Sequence, residues 1–243
     1  MNQQVRQQLA PTGVLRTAVN MANFLLITGE TDSGEPDGVS PDLARAIAAE
    51  LGIEAKMIPY KGPGEVADAI KDNTWDIGNI AAEPERAKTI SFSPAYCEIQ
   101  ATYMVPPDSP LTDITQVDAS GNRIAVKARA AYDLWLTEHL KHASLVRVDT
   151  VDQSFEIFSA DKLEVLAGLR PALLKQQQNM PGARIFDCSF TAVQQSIGCR
   201  PKHTHAAAFL DEFIKNAISN GLIASLIEKH GVKGKLSVAP LAQ

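Results

Sequence analysis

The chain has 243 residues, of which 45% are hydrophobic and 21% are charged. These values are typical of a globular protein, and they exclude a disordered chain, a collagen-like repeat and a small disulfide-stabilised scaffold. The length favours one or two domains. Because 23 basic and 28 acidic residues give a formal net charge of −5, the surface is expected to repel phosphate groups, and no binding to nucleic acids is predicted.

The three cysteines are too few for a network of disulfides. Cys188 and Cys199 fall on a predicted strand pair, so two alternatives stay open: one bridge in an oxidising compartment, or buried thiols. The sequence contains neither a run of about 18 apolar residues nor the hydrophobic segment of a signal peptide. We therefore expect a cytoplasmic protein if Met1 is the native start, or a mature secreted chain whose signal peptide was removed.

In chain order, the first half alternates strand patterns with helix patterns. The clearest helix start is at Ser40, interpreted as the cap, with Pro41 in the first turn. Gly52 marks the end of the same helix. The predicted elements are strands at 14–19, 53–60 and 76–81, helices at 40–52 and 65–71, and a turn-rich loop at 28–38.

The second half repeats this alternation after a proline-rich stretch at 105–110, which we interpret as a boundary between domains. Two amphipathic helices close the chain. The predicted elements are strands at 123–127, 145–148, 163–167 and 185–190, helices at 131–141, 151–160, 171–178, 203–219 and 222–230, and an extended return segment at 192–199.

The alternation of strands and helices indicates βαβ units, and hence an α/β fold of two Rossmann-like lobes with mostly parallel sheets. The first lobe is predicted to contain residues 1–101 and 197–243, and the second lobe residues 102–196. Extended segments at 101–105 and 194–199 would join the lobes as two hinge strands. Because ligands bind at the carboxyl ends of strands in open α/β sheets, a ligand site is expected in a cleft between the lobes.

An ordered series of motifs resembles one known family. The most specific motif is the run PERAKTISFSPAY, which begins at Pro84. The others are Gly13-Val14-Leu15-Arg16, Gly38 followed by Pro41-Asp42-Leu43-Ala44, and Trp75-Asp76-Ile77. Over about residues 13–232, the chain resembles the extracellular solute-binding proteins of family 3, the receptors of polar amino acid ABC transporters.

This resemblance implies a type II periplasmic-binding-protein fold and a monomeric solute receptor without a cofactor. Such a receptor closes its two lobes on a small carboxylate-bearing ligand, because only the closed state makes both sets of contacts. The closed form is then recognised by a membrane permease. The resemblance places the protein in the periplasm, in contrast to the expectation for a native start at Met1.

The resemblance also assigns residues around the third strand. Arg86 matches the arginine that binds the ligand α-carboxylate, for which a guanidinium offers a bidentate fork of donors. Glu83 stands where the family usually has threonine. It pairs with Arg86 in the empty protein, receives a cationic ligand group, or is an exposed acid in a turn. Asn79 and Ala81 end the strand before this loop and are expected to line the site.

Other assigned residues follow the first strand of each lobe. Asn20, Asn23 and Phe24 occupy positions with polar and aromatic ligand contacts in the family, although a phenylalanine such as Phe24 is more often a core side chain than a stacking surface. Arg129 and Ala130 replace the usual Gly-Thr turn of the second lobe. There Arg129 contacts the ligand or is solvated, and backbone amides at the helix start after Ala130 favour an anion.

The most informative departure from the family is Leu169. It falls at the position of the acid that usually binds the ligand α-amino group, and an ammonium group buried against leucine would be unpaired and costly. We therefore predict that the ligand is not an ordinary α-amino acid bound in the family's way, and that a small organic acid fits better. Glu164, Glu83 or Asn79 would supply the missing partner if an amine is bound.

Catalytic and metal-binding motifs are missing from the sequence. His203 and His205 are the closest histidine pair, but neither lies near a cysteine or an acidic cluster, so no metal site and no catalytic residue are predicted. Three further histidines are interpreted as solvated: His139, His142 and His230. We expect a binding protein rather than an enzyme.

Two alternatives remain. One is a cytosolic ligand sensor of the same fold. The other is a dehydratase-like enzyme, since cyclohexadienyl dehydratases resemble the same binding proteins; Glu83 would then be the candidate general acid.

Overall fold

The computed structural model of the protein describes residues 2–241. It divides into two compact units, which we describe separately: unit 1 contains the chain up to Glu98 and from Gln194 onward, and unit 2 contains Ile99–Val193. The sequence-based boundaries lie at 101/102 and 196/197. Met1, on which the expected compartment depends, lies outside the described residues, as do Ala242 and Gln243.

Unit 1 begins with ten short elements. They are α1 (Asn2–Leu9), β1 (Val14–Asn20), β2 (Gly29–Glu30), β3 (Pro36–Asp37), α2 (Val39–Glu50), β4 (Glu54–Tyr60), α3 (Pro63–Asp68), β5 (Ile77–Ala81), α4 (Pro84–Ala87) and β6 (Ser91–Phe92). A 3₁₀ turn at Ala69–Asp72 follows α3. The chain then enters unit 2 along β7 (Cys97–Val105).

Unit 2 alternates strands and helices before the chain returns to unit 1. Its elements after β7 are β8 (Arg123–Lys127), α5 (Ala131–His139), β9 (Ser144–Val148), α6 (Val151–Ala160), β10 (Val165–Leu169), α7 (Arg170–Gln177) and β11 (Arg184–Ile185). The return path and the closing elements of unit 1 are β12 (Thr191–Cys199), α8 (Thr204–Ser219), α9 (Leu222–Lys229) and β13 (Ser237–Val238).

The sheet of unit 1 has the strand order β4-β1-β5-β12. The first three strands are parallel, and β12 runs antiparallel to β5 with Ile197 opposite Asn79. Apolar side chains of β1, α3 and β5 pack around the fully buried Trp75, whose indole N–H donates to the carbonyl of Val66 at 3.0 Å. Because parallel strands end at the same edge, this core places Asn20 and Ala81 at one edge of the sheet.

The sheet of unit 2 has the order β7-β10-β8-β9, with the last three strands parallel. Its core consists of apolar side chains from β7, β8, β10, α6 and α7, with Phe158 almost completely buried. The parallel register pairs Leu166 with Ala125, so β8 and β10 also end at a common edge. Lys127 and Leu169 are the terminal residues of these strands.

Several predicted boundaries differ from those in the structure. Helix α2 starts at Val39 with Gly38 as its N-cap, because the buried Ser40 hydroxyl pairs with the hydroxyl of Tyr96 at 3.2 Å. Of the predicted strand at 185–190, only β11 is a strand in the structure. After β11, only isolated backbone hydrogen bonds connect the chain to β7. The proline-rich stretch at 105–110, which we interpreted as a boundary between domains, lies inside unit 2. Helix α1 was not predicted from the sequence.

The structure shows whether Cys188 and Cys199 form a disulfide bond. All three lie in the described part of the chain and are free thiols, so Cys188 and Cys199 form no bridge. Cys188 is exposed, which makes the alternative of three buried thiols wrong for that residue. Burial raises the pKa of the Cys199 thiol to about 11. Within residues 2–241, no helix combines the length and apolar character that a membrane crossing requires.

Candidate ligand-binding site

The loop after β1 contributes Asn20, Asn23 and Phe24 in unit 1. Both asparagines use their side-chain oxygen locally: Asn20 accepts from the amide of Ala22, and Asn23 from the amide of Leu25, each at 3.2 Å. These bonds shape the loop as Asx turns do. Phe24 is 44% exposed, so its interpretation as a core side chain is wrong.

Arg86 lies in the one-turn helix α4, directly after β5. The residue is 5% exposed, and Nη1 donates to the carbonyl of Ala81 at 2.9 Å. Burying a guanidinium is costly unless it is hydrogen-bonded, so this contact fixes the group next to the end of β5. Glu83 is the N-cap residue of α4, but its side chain makes no capping hydrogen bond.

Asn79 lies within β5 rather than at its end. It is 1% exposed, and neither its amide nitrogen nor its oxygen has a hydrogen-bond partner among the described residues. The hydroxyl of Thr17 in β1 is also buried without a partner in that part of the chain. Because Val19 is opposite Asn79 and Thr17 is opposite Ile77, both polar side chains belong to the same face of adjacent strands.

In unit 2, Arg129 and Ala130 form the turn between β8 and α5. Arg129 is exposed and has a φ of 61°, a conformation that favours glycine and costs other residues on the order of 1 kcal/mol. Ala130 is the buried N-cap residue of α5 and offers no side-chain cap.

Asp133 is a residue at this turn that the sequence analysis missed. It lies in the first turn of α5, and its side chain is 4% exposed. Its carboxylate accepts from the amide of Arg129 at 2.7 Å and from Nε of Arg147 at 2.8 Å. An acid in a first helical turn is a recognisable capping signal.

Leu169 ends β10 and is the half-buried N-cap residue of α7. Glu164 precedes the same strand, so about 16 Å of extended chain separates the two residues. Arg123 binds Glu164 through its amide at 2.8 Å and through Nε at 2.9 Å. These contacts keep the pKa of the Glu164 carboxyl below its usual range. The suggestion that Glu164 supplies the partner of an amine near Leu169 is therefore wrong.

One group of potential metal ligands occurs among the described residues: Asp37, Asp42 and His230, whose ligand atoms lie within 4.8 Å of one another. Cations already occupy this cluster. Arg45 Nη1 lies 2.9 Å from Asp42 and 3.2 Å from Asp37, and Lys229 Nζ lies 2.7 Å from Asp42. The arrangement therefore fits an ion-pair network better than a metal site. Its histidine is 6% exposed, which makes the interpretation of His230 as solvated wrong.

Two curated relatives align with most of the chain. It is 23% identical over 214 residues to the membrane-bound lytic murein transglycosylase F of Actinobacillus succinogenes, which covers 82% of this chain and 43% of that protein. It is 20% identical over 201 residues to the L-cystine-binding protein TcyJ of Escherichia coli K12, with 82% of this chain and 75% of that protein covered. The chain thus spans less than half the length of the transglycosylase.

A solved structure shows the fold. It is AbpA, an amino acid ABC transporter substrate-binding protein from Streptococcus pneumoniae bound to L-arginine. The TM-score is 0.73 at 18% sequence identity, with 91% of this chain and 96% of that chain covered. The predicted α/β fold of the type II periplasmic binding proteins is thereby confirmed. The family of bacterial extracellular solute-binding proteins, family 3, matches residues 19–233, and the chain belongs to this family.

Proposed function

We propose that this protein is the solute receptor of an ABC transporter and that its ligand is a small carboxylate-bearing compound, an amino-acid-like molecule or an organic acid. The observation that carries the proposal is the buried Arg86 beside the end of β5. The named ligands of the two binding proteins compared above, L-cystine and L-arginine, both carry an α-carboxylate. The family consists mostly of non-enzymatic binding proteins, and we propose no catalytic step.

In unit 1, Arg86 would bind the carboxylate. A guanidinium has five N–H donors in a planar fork, so its bond to Ala81 is compatible with a bidentate contact to a ligand. Ala81 and Asn20 lie at the same sheet edge, and the exposed ring of Phe24 belongs to the loop that follows. This edge would supply an anion-binding group and an aromatic surface.

In unit 2, the turn of Arg129 and Ala130 would approach the same ligand, together with Leu169. The strained φ of Arg129 supports a functional role, because such conformations persist mainly where the surroundings require them. Leu169 offers no charge to an ammonium group, and Glu164 is bound to Arg123. We therefore propose that the ligand lacks the α-ammonium group or places it toward unit 1.

A ligand that contacts residues of both units would favour a closed state, because only that state makes both sets of contacts. The chain passes between the units twice, along β7 and β12, and these two strands would act as the hinge. In this proposal the protein is a monomer outside the cytoplasm, and its closed form delivers the solute to a membrane permease.

A thermal-shift panel tests the ligand class. It uses pairs that differ only in the α-ammonium group: succinate with L-aspartate, glutarate with L-glutamate, and 6-aminohexanoate with L-lysine. A ligand that binds only the folded state raises the melting temperature by linkage. We expect at least one acid to stabilise the protein more than its amino acid partner does. Stabilisation by none of these compounds would contradict the proposed ligand class.

Calorimetric titration of Arg86 variants tests the site. Arg86→Lys keeps the charge but loses the bidentate fork, and Arg86→Ala removes both. We expect Arg86→Ala to weaken binding of the best acid by about 1.5–3 kcal/mol, as for a charge-assisted hydrogen bond, and Arg86→Lys to lie between. Unchanged affinity in Arg86→Ala would exclude Arg86 from the site.

A further inference from the structure

The chain crosses between the units along β7 and β12, and one arginine of unit 2 contacts the chain beside both crossings. Arg170 is the first residue of α7 and is half-buried. Its Nε donates to the side-chain oxygen of Gln100 in β7 at 2.8 Å. Its Nη2 donates to the carbonyl of Asp187 at 2.6 Å and to that of Cys188 at 3.4 Å, shortly before β12 begins. Arg170 therefore connects the outgoing segment of the chain to the returning segment.

A buried threonine strengthens this connection. Thr102 of β7 is completely buried, and its hydroxyl oxygen lies 2.6 Å from the carbonyl oxygen of Cys188 and 3.3 Å from that of Phe186. The same stretch of returning chain is thus bound to β7 by two side chains. We call these contacts of Arg170 and Thr102 the clamp.

Unit 1 has its own side-chain contact between the same two strands. Nε2 of Gln194 in β12 donates to the carboxylate of Glu98 in β7 at 2.7 Å. Both residues belong to unit 1. Along the chain, Ile99 of β7 and residues 189–193 of the returning segment lie between this contact and the clamp. These short stretches are where the two strands are free of both sets of side-chain contacts.

The clamp depends on the shape of the guanidinium rather than on its charge. The three acceptors of Arg170 are neutral oxygens, one from a side-chain amide and two from the backbone. The planar group directs its Nε–H and Nη2–H groups from one edge toward separate acceptors. Lysine carries a single charged nitrogen on a flexible chain and cannot reproduce this fork. Arg170→Lys therefore opens the clamp without changing the charge.

We propose that Arg170 is a positioning residue for the closure of the two lobes, because it confines bending to the stretches between the clamp and the contact of Gln194 with Glu98. This role rests on the proposed function, since it concerns the hinge that a solute receptor uses. A short hinge restricts the ligand-free protein, so less conformational entropy is lost when a ligand closes it. Arg170 also directly follows Leu169, so the clamp and the candidate ligand contact share one stretch of backbone.

Electron–electron resonance distance measurements on the ligand-free protein test the clamp. Spin labels are attached at the exposed positions Lys56→Cys in unit 1 and Glu156→Cys in unit 2. Cys188→Ser removes the exposed thiol and keeps the backbone carbonyl that Arg170 uses. We expect Arg170→Lys to widen the distribution of distances between the labels. An unchanged width would overturn the proposal.

Arg184→Lys is the matched control. Arg184 is also a half-buried arginine of unit 2, and its Nη2 donates to two carbonyls, those of Ser109 at 2.8 Å and Leu111 at 2.9 Å. Neither acceptor belongs to the clamp. We expect this variant to keep the distance distribution of the parent. Equal widening in Arg170→Lys and Arg184→Lys would mean a general loosening of unit 2 and would overturn the proposal.

Gln100→Ala keeps the test decisive if Arg170→Lys lowers the stability of unit 2. Gln100 is exposed, so its truncation should change the free energy of unfolding little. It removes the acceptor of the Arg170 Nε–H group and leaves the arginine in place. We expect the distance distribution to widen in this variant also. The width of the parent in Gln100→Ala would show that the connection to β7 does not limit the motion, which overturns the proposal.

Calorimetric titration with the best-binding acid connects the clamp to ligand binding. We expect Arg170→Lys to weaken binding about three- to tenfold, because closure must then order one or two further residues, and Arg184→Lys to leave the affinity unchanged. Equal affinities in the parent and Arg170→Lys would overturn the role in closure. If no acid bound the parent, the proposed function would be contradicted, whereas the distance distributions of the ligand-free protein would still decide on the clamp.

Discussion

Asp76 binds Arg16 of β1 through both carboxylate oxygens, although 60 residues separate the two in the sequence. Nε of Arg16 lies 2.9 Å from Oδ2 and Nη2 lies 2.8 Å from Oδ1, and the amide of Arg16 also donates to Oδ2 at 3.0 Å. The Asp76 side chain is completely buried. This hydrogen bonding raises the pKa of the Arg16 guanidinium.

Unit 2 repeats this arrangement with Arg123 and Glu164. Arg123 lies on the first parallel strand of its unit, as Arg16 does, and it also donates its amide, Nε and Nη2 to one carboxylate. The repeat extends to the chain just before each acid. Asn73 and Lys162 have φ values of 55° and 48°, and the carbonyl oxygen of each accepts a hydrogen bond from the arginine. The sequence showed no repeat, because the two acids differ and their spacing from the preceding turn differs by one residue.

Removing the acidic side chain of each pair should lower the free energy of unfolding by different amounts in the two units. We expect Asp76→Ala to lower the free energy of unfolding by about 3–5 kcal/mol, because it leaves a largely buried guanidinium without its carboxylate counter-ion. Glu164→Ala should cost less than about 1 kcal/mol, because Arg123 and Glu164 are 44% and 34% exposed and water screens the pair. Urea unfolding followed by circular dichroism measures both. Similar losses would show that burial does not decide the strength of these pairs.

A second network in unit 1 joins Asp42 of α2 to the end of α9. His230 Nε2 and Lys229 Nζ lie 2.8 and 2.7 Å from the same carboxylate oxygen, and Arg45 approaches the other oxygen. Burial alone would raise the pKa of Asp42. The hydrogen bonds from Lys229, His230 and Arg45 outweigh this effect and lower the pKa to about 2.

This network should contribute stability that acid removes. A carboxyl with a lowered pKa in the folded state stabilises the fold above its unfolded pKa of about 3.9, and the contribution disappears as the pH falls toward 2. We expect Asp42→Asn to flatten the decrease in unfolding free energy between about pH 4 and pH 2 by on the order of 2 kcal/mol. Unfolding at each pH is monitored by the fluorescence of Trp75 in a Trp135→Phe background.

The control is Asp32→Asn, which removes an exposed carboxyl in the turn between β2 and β3. It should leave the pH profile of the parent unchanged. If Asp42→Asn and Asp32→Asn gave the same profile, the network around Asp42 would not be a source of acid sensitivity.

Gly38 lies where the backbone allows no side chain. Its φ is 149°, and a Cβ atom would come within 2.2 Å of the carbonyl oxygen of Leu26 and 2.9 Å of the Cα of Ile27. We expect Gly38→Ala to lower the unfolding free energy by at least about 3 kcal/mol, the sum of the φ cost and the clash. Gly34→Ala has a positive φ of 80° but no atom within 4 Å, so it should cost only about 1–2 kcal/mol. Equal melting temperatures of the two variants would contradict the steric explanation.

The sequence predicted what depends on local periodicity. The bounds of β1, β8 and α6 were predicted nearly to the residue, because the apolar residues that mark each element lie close together in the sequence. The PERAKTISFSPAY run identified the family, which the comparison confirmed. The N-cap of α2 was misplaced by two residues, at Ser40 instead of Gly38, because Ser40 looks like a cap, whereas its hydroxyl pairs with that of Tyr96.

Contacts over long sequence separations were not predictable in this way. His230 and Asp42 are 188 residues apart, so nothing near His230 indicated that its ring would be buried. Asp133 is different: its position in the first turn of α5 was a visible signal, but its second partner, Arg147, lies on another strand. Asn79 is buried because β1 and β12 flank β5 on its two sides, and only the fold reveals these neighbouring strands.

The role of Leu169 can be tested by restoring an acid. We expect Leu169→Asp to shift the ratio of affinities between each acid and its α-amino counterpart toward the amino acid by about ten- to a hundredfold, the effect of one charge-assisted hydrogen bond. Leu169 is the N-cap residue of α7 and its side chain makes no cap, so aspartate should also stabilise that helix by up to about 1 kcal/mol. A loss of binding through unfolding is therefore not expected. Calorimetric titration with the three matched pairs gives the ratio.

Leu169→Asn separates charge from shape in this experiment. Asparagine has nearly the size of aspartate and caps helices about as well, but it carries no charge for an ammonium group. It should raise the stability of α7 while leaving the ratio of affinities close to that of the parent. If Leu169→Asp and Leu169→Asn changed the ratio equally, or not at all, Leu169 would not lie at the position of the ligand α-amino group. The preference for an organic acid would then need a different physical cause.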